Sequence, residues 1–110
     1  MADVCQVSVT APTQEEASRL GRLAVERRLA ACAQVSGPLT STYWWEGDLC
    51  VADEWLCVLK TTVDRLASLT AALRAAHSYE TPEIVATPVV GGDEAYLTWV
   101  RTETTERAGN

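Results

Sequence analysis

The chain is 110 residues long, 47% hydrophobic, with a formal charge of -6 and a pI near 4.6. That is one domain with a core but little spare stability. The acidity argues against a sequence-independent grip on nucleic-acid phosphates, because the arginines are dispersed and Lys60 is the only lysine. No apolar run reaches the roughly 18 residues of a membrane span, and Met1-Ala2-Asp3-Val4 lacks the basic and apolar regions of a secretory signal, so no membrane contact and a cytoplasmic setting are expected.

Residues 4–10 alternate, with Cys5, Val7 and Val9 on one face and Gln6, Ser8 and Thr10 on the other, the period of a strand. Ala11-Pro12 breaks it, and Thr13-Gln14-Glu15-Glu16 reads as a capping box that opens a helix with a stripe of Ala17, Leu20, Leu23 and Ala24, ending near Arg28 or Leu29. Residues 31–45 and 49–60 are rich in Val, Thr, Tyr and Trp and are joined at Glu46-Gly47-Asp48, which predicts a long hairpin; Gly37-Pro38 implies a bulge or an edge in its first arm. Thr61-Thr62 can cap a second helix with a stripe of Leu66, Leu69, Leu73 and Ala76, terminated by residues 77–82 because Thr81 precedes proline. Residues 84–87 form a fourth strand, Gly91-Gly92-Asp93 turns into a third helix bearing Tyr96, Trp99 and Val100, and residues 103–110 read as a flexible tail. The order predicts a single α+β domain of ferredoxin-like βαββαβ type, with two helices on one sheet face.

The hairpin is too long for so small a domain. Its first arm would span roughly 50 Å if straight, against a diameter of roughly 34 Å for a compact chain of this length. Trp44 and Trp45 are adjacent on a strand and point to opposite faces, so an overhanging tip exposes aromatic area that a second subunit would cover. Tyr43, Trp44 and Trp45 are therefore expected at a subunit interface. Gln6, Ser8, Leu56, Val58 and Lys60 lie on the sheet face opposite the helices.

The densest polar cluster is His77-Ser78-Tyr79-Glu80-Thr81-Pro82-Glu83, placed between a helix and a strand. His77 can be a helix C-terminal cap or a site residue titrating near neutral pH. Lys60, beside apolar neighbours, needs a carboxylate, and Glu80 or Glu83 could supply it. Lys60, Tyr79, Glu80 and Glu83 are the expected ligand-facing residues, while Cys32, between two alanines, reads as space-filling where helix meets strand. The four cysteines, Cys5, Cys32, Cys50 and Cys57, show no zinc or CxxC spacing and are expected to be reduced.

Five segments in register, Ala31-Cys32, Ser41-x-Tyr43-Trp44-Trp45-x-Gly47, Leu59-Lys60-Thr61, His77-x-Tyr79-Glu80-x-Pro82-Glu83 and Tyr96-x-x-Trp99, resemble the CutA divalent-cation tolerance proteins over residues 4–100. The resemblance implies a homotrimer joined through its hairpins, a PII-like assembly, association with copper or other divalent ions, a retained cysteine at Cys32 with a ligand role, and His77 as the metal-ligand imidazole that survives. The family's copper pattern carries over poorly: its first-strand thiol is Val9 here, and its histidine pair is Ala76-His77. The expected function is a non-catalytic trimer that binds metal ions or a small ligand at inter-subunit clefts. Its rivals are a PII-like scaffold for another protein and a small enzyme using His77 and Lys60.

Overall fold

The structure is a computed structural model that describes residues 3–105. The elements run β1 (Val4–Ala11), α1 (Gln14–Glu26), β2 (Cys32–Trp45), β3 (Asp48–Thr62), α2 (Leu66–Ala76), β4 (Ile84–Pro88) and α3 (Glu94–Glu103). One four-stranded antiparallel sheet, in the order β2-β3-β1-β4, forms the expected α+β ferredoxin-like arrangement.

The alternation read from β1 sets the two faces. Val7, Val9, Cys57 and Leu59 join Leu20, Leu69 and Leu73 of α1 and α2 in the main core. Register places Gln6 opposite Lys60 and Ser8 opposite Val58, and all four are only half-buried on the other face. Thr10, which alternation puts on the face of Gln6 and Ser8, is buried, and the His77 ring reaches its carbonyl. At one corner, Val4 and Ala31 pack on Leu97 and Val100 of α3, a second small core.

Several element ends differ from the sequence reading. Thr13 caps α1 by accepting from the Glu16 amide at 3.1 Å, but Glu16 does not reach back; its carboxylate turns to Ser78 instead. α1 ends at Glu26, and Arg28 follows with φ 57° and its guanidinium on the Glu103 carboxylate at 2.9 Å. Thr61 and Thr62 do not cap α2: the Thr61 hydroxyl donates to the Leu29 carbonyl and the Thr62 hydroxyl to the Asp64 carboxylate, while a 3₁₀ turn over Val63–Arg65 leads into the helix. Glu103 closes α3 and Thr104 is buried, its hydroxyl donating to the Val100 carbonyl at 2.8 Å, so neither belongs to a tail. The remainder of that expected tail, from residue 106, lies outside the described residues.

The hairpin is as long as its sequence requires. The molecule measures 45 × 31 × 22 Å with a radius of gyration of 14.6 Å, above the roughly 13 Å of a compact chain this size. The ladder slips between Ser36 and Leu39, so Gly37-Pro38 is a bulge on an edge strand, both alternatives at once. Gly37, at φ +153°, lies so close to the Trp55 ring that an added Cβ would overlap it. At the tip Glu46 and Gly47 both have positive φ, which matches the twist of a two-residue hairpin turn.

Packing of α1 on the sheet sets a limit that can be tested. A Cβ on Gly21 would lie 2.8 Å from the Ala33 Cβ and 3.1 Å from the Cys57 sulfur. Helix propensity favours alanine by about 1 kcal/mol, whereas overpacking costs about 1–3 kcal/mol. Gly21→Ala should therefore lower stability in urea denaturation; an unchanged or raised midpoint would show that α1 can lift from the sheet.

Candidate functional site

The loop that follows α2 is held by its own histidine. His77 is the C-cap of α2, and its side chain is fully buried. Its Nε2 lies 2.7 Å from the Thr10 carbonyl, and its Nδ1 lies 3.0 Å from the Tyr79 amide, which donates to it. Those partners require the neutral tautomer with hydrogen on Nε2. Glu16, from the first turn of α1, accepts from the Ser78 amide at 3.0 Å and the Ser78 hydroxyl at 2.8 Å. Burial pushes the Glu16 carboxyl up, but the two Ser78 hydrogen bonds, with His77 and Arg19 nearby, outweigh it and hold the group below its ordinary value.

Pinned in this way, the loop faces the hairpin across a groove of about 610 Å³. Tyr43, Trp45 and Glu54 line it from the hairpin, and Tyr79, Glu80 and Glu83 from the loop. Glu54 is only 8% exposed and accepts from the Tyr79 hydroxyl at 3.2 Å. Burial, reinforced by the Glu54 charge, pushes the Tyr79 phenol up to about 12.

Tyr79, Glu80 and Glu83 thus line one groove, whereas Lys60 and Cys32 lie elsewhere. Lys60 donates to the Gln34 side chain at 2.9 Å rather than to Glu80 or Glu83, and it stands six residues from Glu54, about 20 Å along β3. Cys32 is its register partner on β2, with its sulfur 3.4 Å from the Tyr96 hydroxyl. That contact, together with burial, pushes the Tyr96 phenol up to about 12.

Sequence reasoning missed Glu54, Glu16 and the Thr10 carbonyl. A carboxylate inside an apolar strand was the one available signal for Glu54; the others depend on which elements meet.

The donors do not fit a copper ion within one protomer. Both His77 ring nitrogens are engaged, Val9 fills the thiol position from inside the core, and Cys5 is a buried thiol whose pKa burial raises. Among the described residues no three His, Cys, Asp or Glu side chains come close enough to share a metal ion.

Two consequences can be measured. His77→Ala removes a buried ring and both of its hydrogen bonds, so it should cost about 1–3 kcal/mol of stability; an unchanged melting temperature would return His77 to a purely ligand-facing role. Cys57, at about 11 against an ordinary 9.0, and Tyr79 and Tyr96, at about 12 against 10.0, hold their protons more tightly when folded. Their contribution is complete below about pH 9 and is lost as pH rises toward about 12. Urea midpoints should fall across that window, and less steeply in Tyr79→Phe.

The comparisons with known proteins agree with this architecture. The family described as "CutA1 divalent ion tolerance protein" matches residues 5–103. The divalent-cation tolerance protein CutA of Thermus thermophilus is 40% identical over 98 residues, covering 89% of this chain and 95% of that one. The chloroplastic protein CutA 1 of Oryza sativa is 38% identical over 91% of this chain, which spans only 56% of the rice protein's length. The crystal structure of CutA1 from Oryza sativa superposes with a TM-score of 0.92 at 36% identity, covering 96% of this chain and 97% of the other. With a matching profile over nearly its whole length and relatives of similar size at this identity, the chain belongs to the CutA1 divalent ion tolerance family.

Proposed function

We propose that this chain works as a non-catalytic homotrimer that takes a divalent metal ion or a small ligand in clefts at its subunit seams, in a cytoplasmic setting. The observation that carries the reading is the uncovered hairpin. Trp44, Leu49 and Val51 are 72%, 61% and 66% exposed, and register puts Trp44 opposite Leu49, with Val51 two residues along on the same face. Contiguous apolar area of this kind marks an association surface, and the half-buried Gln6, Ser8, Val58 and Lys60 leave a second face for a neighbour to cover. The family resemblance implies three copies. On this reading Trp44 is interface core, while Tyr43 and Trp45, on the groove wall, sit at the seam with Tyr79, Glu80 and Glu83.

Metal enters the reading through the family alone. A divalent ion held by this protein would need donors from two protomers, and Lys60 and Cys32 of one copy would approach the groove only from a neighbour. Commitment of both His77 nitrogens supports the non-catalytic reading, since it leaves that imidazole no free position from which to act as a base. The four free thiols suit a reducing compartment.

Sedimentation at micromolar concentration should give a single species of three protomers, and Trp44→Ala should shift it toward smaller forms, since buried aromatic anchors are worth about 2 kcal/mol or more in such contacts. A wild-type monomer would overturn the reading. Calorimetric titration of the trimer with Cu(II), Cu(I) and Zn(II) should show binding that Glu83→Ala weakens without lowering the melting temperature; equal loss of stability would make Glu83 structural.

A further inference from the structure

We infer that the groove between the hairpin and the loop 77–83 receives an organic ammonium ion, a protonated amine carried on an aliphatic or aromatic body. The inference rests on the proposed reading of this groove as the ligand cleft and names what the cleft selects. Three observations carry it.

The first is an uncompensated charge. Glu54 is more than nine-tenths buried, yet the partner that reaches it is the neutral Tyr79 hydroxyl. Among the described residues the ion pairs are Arg22–Glu26, Arg28–Glu103 and Arg101–Glu94, with Arg65 and Arg101 held by further interactions and the neutral His77 ring 3.4 Å from Glu16; none of these pairs joins Glu54, Glu80 or Glu83. No Lys or Arg lines the groove. A buried carboxylate is costly to hold unless a cation compensates it, and here the compensating charge has to come from outside the protomer.

The second is the wall. Tyr43, Trp45 and Tyr79 present ring area around the same space as the carboxylates. Aromatic faces attract ammonium groups through the ring quadrupole and also cover the methylenes that carry them. Among the groove residues of the protomer an anion would meet only negative charge.

The third separates an organic cation from a bare metal ion. Carboxylates that ligate a metal directly must converge to within about 2.0–2.6 Å of one point, and Glu54, Glu80 and Glu83 form no such trio within the protomer, so they would hold a bare ion only with a neighbour's donors. Instead Glu54 lies deep while Glu80 and Glu83 are exposed at the rim, a spacing in depth that suits charges distributed along a molecule. The groove volume of about 610 Å³ is that of a small-molecule site.

Spermidine is a direct probe, followed by calorimetry and tryptophan fluorescence on the full chain, with 1,5-pentanediol as the uncharged control and magnesium chloride at matched ionic strength as the bare-ion control. Saturable spermidine binding is expected, with no response to the diol and no displacement by magnesium. Glu54→Gln, which keeps the shape and the acceptor for Tyr79, should weaken it by about tenfold, the scale of one charge-assisted hydrogen bond. The exposed pair Glu80→Gln and Glu83→Gln, which carries no folding risk, should weaken it severalfold. Affinity unchanged in both variants, or full displacement by magnesium, overturns the inference. Sedimentation of the same sample separates the two readings: a trimer indifferent to spermidine refutes the ligand class alone, a monomer that binds it refutes the assembly alone, and a monomer that does not bind refutes both.

Discussion

α1 and α2 cover only one face of the sheet, α3 covers no more than a corner of the other, and the sheet also outgrows the helices along its length. α1 and α2 cover Val7, Val9, Cys57 and Leu59, but the ladder of β2 with β3 runs on past the Gly37-Pro38 bulge to a tip that no helix reaches. Burial of apolar area is the dominant favourable term in folding a domain this small. Leaving Trp44, Leu49 and Val51 in water forfeits part of that term, and the natural remedy is association.

The same geometry builds the groove. Because β1 stops at Ala11 while β3 continues toward the tip, the hairpin and the loop 77–83 are left facing each other with nothing between them. The loop would be free to move were it not tied at His77 to the Thr10 carbonyl and at Ser78 to Glu16. His77, a candidate site residue in the sequence, and Glu16, read there only as part of a helix cap, therefore anchor the loop that carries Tyr79, Glu80 and Glu83. Glu54 faces them from the hairpin with no cation of its own, which gives the groove a sign as well as a shape.

Membership of a divalent-cation tolerance family and the absence of a three-donor cluster in the described protomer are not in conflict. On the proposed trimer a seam site would be completed only by a second copy, from which Lys60 and Cys32, paired across β2 and β3 about 20 Å from Glu54, would enter it. Val9, where the resemblance places a thiol, is a residue of the core.

Alternation and turn chemistry are local, so the sequence by itself determined the order of elements, the two faces of β1, the bulge at Gly37-Pro38, the opposition of Trp44 and Trp45, and the excess length of the hairpin. The five motifs in register determined the family. What only the tertiary structure decided were the partners: Glu16 on Ser78 rather than back on its own helix, Thr61 on Leu29 rather than capping α2, Lys60 on Gln34, and Glu54 beneath Tyr79. Each of these joins residues 25 to 62 positions apart. A side chain's period along the chain says which face it occupies, but which group waits across that face is fixed only when distant elements pack.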